Sequence, residues 1–180
     1  PRLASLARGR RGAGARGRLY RRYDSHVNDS FGAWLSALEA RHLAELTPSE
    51  VGRALRALSS CYVERREKLA SGDALGTAGK RAAFALFYGP LHFLVVREVV
   101  RALEGADAVS RLVDLGCGTG AAGAAWALEA GAREVQGVDR SAWAAAEANW
   151  TYRAMGIDGR AMKGDAQSAA LRPGPGSGIL

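Results

Sequence analysis

Cysteine is scarce in this chain: there are two, Cys61 and Cys117. Two thiols make neither a disulfide framework nor a four-cysteine metal site, so a reducing compartment, the cytoplasm, is the default location. Histidine is almost as rare, with His26, His42 and His92. None has metal-type spacing to an acid or a cysteine, and no Ser-His-Asp arrangement is visible, so no metal is expected. Apolar runs are short, and none approaches the roughly 18 residues that cross a bilayer, so no membrane partner is expected. Acidic residues are missing altogether from residues 1–23, which hold eight arginines (Arg2, Arg8, Arg10, Arg11, Arg16, Arg18, Arg21, Arg22). These eight more than cover the net charge of +7, leaving the rest of the chain near neutral.

What is present is enough for a core. With 180 residues, 48% of them hydrophobic, the chain can form one domain with a helical extension. The centre of its organisation is the run at 113–123, Val-Asp-Leu-Gly-Cys-Gly-Thr-Gly-Ala-Ala-Gly. A short apolar strand over 111–115 passes into a glycine turn at Gly116, Gly118 and Gly120, then into an alanine-rich helix over 121–130. Glycine suits a turn that needs unusual backbone angles and close ligand approach. The helix N-terminus behind it offers unpaired N–H groups and partial positive charge. Such a turn receives the polar part of a nucleotide-like cofactor.

Two frames fit the turn. Gly118, Gly120 and Gly123 satisfy the dinucleotide pattern G-x-G-x-x-G, a weak signal by itself. Read as Asp-x-Gly-x-Gly-x-Gly, the run 114–120 is wholly accounted for, with Asp114 at the strand's end able to meet a ligand ammonium. A second strand over 134–138 ends in Asp139, nineteen positions after Gly120. An acid there is placed to bind two ribose hydroxyls of either cofactor, or to cap the next helix together with Ser141. That helix covers 142–155, and a third strand near 160–163 leads to Gly164-Asp165-Ala166. Gly-Asp is also an ordinary turn.

In the second frame the sequence resembles the class I S-adenosylmethionine-dependent methyltransferases over residues 109–166. The resemblance implies S-adenosyl-L-methionine as cofactor. Asp114 would hold its amino-acid end, the turn would pass under its sugar and methionine parts, and Asp165 would contact the adenine amino group. The implied contact set is Asp114, Gly116, Cys117, Gly118, Thr119, Gly120, Asp139, Arg140, Asp165 and Ala166. Cys117 can equally be just a small residue. No catalytic residue is identified, because in such folds the base normally follows the fourth strand.

Upstream, residues 30–46 carry Phe31, Trp34, Leu35, Leu38 and Leu46 at helical spacing. Thr47-Pro48-Ser49-Glu50 reads as a capping box opening a helix to about residue 70. A third helix covers 77–87, Gly89-Pro90 breaks or kinks the chain, and a fourth continues to 103. The aromatic group Phe84, Phe87, Tyr88, His92 and Phe93 is expected in the core, with a substrate entrance as the other reading. This prelude, with Leu58-Ser-Ser-Cys-Tyr62 and Tyr88-Gly-Pro90 ahead of the glycine motif, also resembles the ribosomal small-subunit methyltransferase-like family.

The expected architecture is α/β: a basic, disordered tail at 1–23, a helical region at 24–106, and the N-terminal half of a Rossmann-like domain at 107–180. The tail is read as a solvated arm, an RNA-binding arm or an organellar targeting peptide. Both ends look cut. Three strands are evident where a class I sheet has seven, and 173–180 resembles a turn entering a fourth. The expected function is S-adenosylmethionine-dependent methyl transfer to an unidentified acceptor, RNA or a ribosomal particle among them. A non-catalytic cofactor-binding scaffold and a nicotinamide-dependent oxidoreductase remain as alternatives.

Overall fold

The computed structural model describes residues 13–64, 75–167 and 176–180, with side chains over 27–60, 75–167 and 176–180. Among the described residues the first helices are α1 (Ala13–His42), α2 (Pro48–Glu64), α3 (Ala78–Ala83) and α4 (Gly89–Ala102). The α/β part follows as β1 (Arg111–Leu115), α5 (Ala121–Ala130), β2 (Glu134–Asp139), α6 (Ala142–Ala154), β3 (Gly159–Lys163) and β4 (Ser177–Ile179). The expected α/β fold is what forms. All four strands are parallel, in the order β3-β2-β1-β4.

Local chemistry sets these elements. Glu50 closes the capping box, accepting from the Thr47 N–H at 2.8 Å while Thr47 Oγ1 accepts from the Glu50 N–H at 3.3 Å. Ser141 caps α6 by accepting from the Ala144 N–H. Asn149 bolts α6 to β3, donating to the Ala161 carbonyl at 2.8 Å and accepting its N–H at 3.0 Å. The apolar middle of β1 is buried on both faces, as a central parallel strand should be.

Three expectations about the helices change. α1 begins at Ala13, so 13–23 is helical rather than part of a disordered tail, and alanine, arginine and leucine there are strong helix formers. Residues 1–12 lie outside the described residues, as does the expected continuation of α2 over 65–70. Gly89-Pro90 does not break the chain, because a π-helical turn at Phe84–Tyr88 carries α3 into α4. The Gly89 N–H bonds to the Phe84 carbonyl, five residues back. This widened turn accommodates the proline ring and its missing donor. Taken as one helix, Ala78–Ala102 is long and apolar enough to cross a membrane by length and composition, which two shorter helices would not be.

The helical region is fastened to the sheet by a core and two ion-pair groups. Val27, Trp34 and Leu38 of α1 and Phe93 of α4 are buried with the alanines of α5. Glu147 of α6, 1% exposed, receives Arg41 Nε at 3.2 Å and His42 Nε2 at 2.7 Å from the end of α1. Burial pushes this carboxyl up, but the His42 and Arg41 bonds hold it below its ordinary value. Arg97 of α4, also buried, meets Glu129 of α5 at 3.3 Å and Asn28 of α1 at 2.6 Å.

Candidate functional site

A cavity of about 420 Å³ opens outside the carboxyl ends of β1, β2 and β3. Its size is ordinary for a cofactor pocket. Its position is where open α/β sheets bind ligands. Gly116 and Gly118 form one wall, Asp139, Arg140 and Ser141 a second, and Gly164 to Gln167 a third. Phe84 of the π turn and Leu75 close it from the helical side.

The turn is built as the glycine spacing predicts. Gly116, Gly118 and Gly120 have φ of 80°, 52° and 77°, in the left-handed region that side chains disfavour. The Gly116 and Cys117 N–H groups bond to the Val138 carbonyl at 2.8 and 3.0 Å, tying the turn to the tip of β2. Asp139 completes the link. Its Oδ2 accepts from the Gly118 N–H at 2.9 Å and its Oδ1 from the Ser141 N–H at 2.7 Å. The carboxylate is therefore fixed in direction while lining the cavity, so its bond at the start of α6 does not take it out of the cavity wall.

Of the ten residues singled out in the sequence, six line the cavity: Gly116, Gly118, Asp139, Arg140, Asp165 and Ala166. Arg140 and Asp165 form an ion pair across its rim, Nη2 to Oδ2 at 3.0 Å, and Asp165 Oδ1 accepts from the Gln167 N–H. The Gln167 amide and Arg140 hold the Asp165 carboxyl below its usual range.

The other four turn away from the cavity. Asp114 is 3% exposed and lies behind the turn, its Oδ2 accepting from the Gly123 N–H at the start of α5 at 3.1 Å. The expectation that it meets a ligand ammonium directly does not match this placement, because an inward-facing position on β1 directs the carboxylate beneath α5. Burial pushes its pKa up to about 7, against the lowering effect of that hydrogen bond. Cys117 is buried over Gly137, where a Cβ would come within 2.8 Å of its sulfur. Thr119 is buried against the long helix, its Oγ1 3.4 Å from where a Gly89 Cβ would stand. Gly120 packs on α6, where a Cβ would lie 2.9 Å from the Ala148 backbone.

The aromatic group divides. Phe93 is core. Phe84 lines the cavity, 3.7 Å from the position of a Gly118 Cβ, and stacks edge-on with Trp143. Its role was legible only as the entrance alternative. His92 contacts the Phe84 and Tyr88 rings, and partial burial pushes its pKa down. Leu75 carries no sequence signal at all. Among the described residues no group of His, Cys, Asp and Glu could hold a metal.

Residues 97–173 match the model of the methyltransferase small domain family. That segment starts inside α4 and takes in the glycine turn, Asp139 and Asp165. The match does not confirm the finer resemblance to the ribosomal small-subunit family. Neither the curated proteins nor the solved structures gave a match.

Proposed function

We propose, from the match of residues 97–173 to the methyltransferase small domain family, that the chain binds S-adenosylmethionine in the cavity outside β1–β3. The observation that carries the reading is the convergence of Gly116, Gly118 and Asp139 on one cavity. The glycines leave room for the methionine and sugar parts. Asp139 is oriented by two backbone N–H groups and keeps lone pairs for ribose hydroxyls, since each carboxylate oxygen can accept more than one bond. Ala166 and the Arg140–Asp165 pair take the adenine side, and Phe84 with Leu75 gives the apolar cover. Asp114 acts from behind, holding the start of α5.

When bound, the cofactor supplies a methyl group already made electrophilic by its sulfonium. The chain's work is therefore to bind, orient and keep water away, and positioning of this kind carries most of the rate. The acceptor we propose to screen first is RNA, free or in a ribosomal particle. The arginines of residues 1–23 support that choice by their fit to phosphates. The methyltransferase match favours neither the scaffold nor the oxidoreductase alternative.

Calorimetric titration with S-adenosylhomocysteine, with NAD as control, tests the cofactor. Micromolar binding of the first and none of the second is the expected result. Binding of NAD, or of neither, overturns the reading.

A further inference from the structure

Behind the glycine turn, three glycines surround one tyrosine. Tyr152 of α6 is fully buried. A Cβ on Gly120 would stand 3.0 Å from its Cε1, one on Gly159 2.6 Å from its Cγ and Cδ2, and one on Gly123 3.2 Å from its hydroxyl. The ring thus fills space left by three absent side chains, between the start of β3 and the N-terminus of α5. Its hydroxyl is buried with no hydrogen-bond partner among the described residues. Buried hydroxyls in native proteins are ordinarily paired.

One candidate partner is the Asp114 carboxylate. The same Gly123 Cβ position stands 2.8 Å from Asp114 Oδ2, so the two oxygens lie at most about 6 Å apart when the two lengths are laid end to end. That gap is within reach of one bridging water.

We propose that Tyr152 is a positioning residue for the cofactor turn: its ring braces Gly120, and its hydroxyl donates toward the Asp114 carboxylate, keeping it ionised and bonded to the Gly123 N–H. The consequence for the cofactor rests on the reading above, whereas the Tyr152–Asp114 coupling does not. The other groups facing Asp114 sharpen the need for a donor. Burial raises its pKa, and the negative Asp139 at the tip of β2 raises it further. Cys117 in the turn is a neutral thiol, its own pKa raised by burial and then by Asp114 and Asp139. Against these stand the Gly123 N–H and the hydroxyl of Tyr152. Burial, then Asp114 and Cys117, hold the phenol above its ordinary value, so it stays protonated and able to donate.

The test compares the wild-type chain with Tyr152→Phe, which keeps the ring and removes the donor. The Asp114 carboxyl carbon is followed by NMR from pH 5 to 9, and S-adenosylhomocysteine affinity by calorimetry over the same range. Tyr152→Phe is expected to fold, to raise the Asp114 midpoint by about half a pH unit or more, and to weaken binding about threefold at pH 7 with recovery at pH 9. Tyr152→Leu, lacking the ring, should weaken binding at every pH. An unchanged Asp114 midpoint in Tyr152→Phe overturns the proposal. A shifted midpoint with no ligand binding in either protein overturns the cofactor reading and leaves the coupling standing.

Discussion

Gly116 and Gly120 sit four residues apart in one turn, both at left-handed φ, yet their surroundings predict opposite mutant behaviour. At Gly116 (φ 80°) an added Cβ meets nothing within 4 Å, and the position lines the cavity. Alanine there bears only the left-handed penalty, about 1–2 kcal/mol, partly offset by a less flexible unfolded chain. At Gly120 (φ 77°) the Cβ would stand 2.9 Å from the Cα and Cβ of Ala148 and 3.0 Å from Tyr152. The obstacle is helix backbone, which cannot rotate away, so overpacking adds about 1–3 kcal/mol. Gly120→Ala should therefore lose about 2–4 kcal/mol of stability and Gly116→Ala about 1. Urea unfolding followed by circular dichroism reads both. Binding should divide the other way for the folded proteins: Gly116→Ala, well folded, should lose S-adenosylhomocysteine affinity about tenfold by placing a methyl in the ligand's path. Equal stability losses would refute the packing argument, and unchanged affinity in Gly116→Ala would refute the placement of the ligand.

Asp139→Ala removes a charged acceptor worth about 1.5–3 kcal/mol, so binding should weaken at least about tenfold in calorimetry. Glu147→Gln removes the buried negative charge that pairs with Arg41 and His42. With Arg41 half-exposed, the loss should be about 1–3 kcal/mol, read by urea unfolding at pH 7. Because the folded Glu147 pKa lies below its ordinary 4.5, its contribution is present above pH 4.5 and fades as pH falls below it, and the variant should lack that acid limb. Asp114 has the opposite sign. Its folded pKa of about 7 against an ordinary 3.8 means that the folded state binds the extra proton, so stability declines from about pH 4 to pH 7 and levels off above. Asp114→Asn should flatten that slope, measured as urea midpoints at pH 5 and pH 8.

The strand–turn–helix–strand unit from 111 to 139 was readable because each of its features is local. Left-handed turns select glycine, a helix start selects Ser141, and the acid at the end of β2 follows from spacing. Side-chain direction was harder. Asp114 reads as a ligand contact on position alone, but burial on an inward-facing site of β1 sends it behind the turn to Gly123. Contacts between distant residues left no trace: Glu147 meets Arg41 and His42 more than a hundred residues away, and Leu75 reaches the cavity only through the helical packing. Of the break or kink expected at Gly89-Pro90, the break does not occur, because the rule for proline assumes an ordinary helix and the π turn at Phe84–Tyr88 offers the chain another way through.

The central claim, that the glycine turn and the tip of β2 hold S-adenosylmethionine, is tested most directly by amide NMR during titration with S-adenosylhomocysteine. The account predicts saturable shifts centred on Gly116, Gly118, Asp139 and Ala166, the residues around the cavity. Shifts centred elsewhere, or none at saturating ligand, would contradict it.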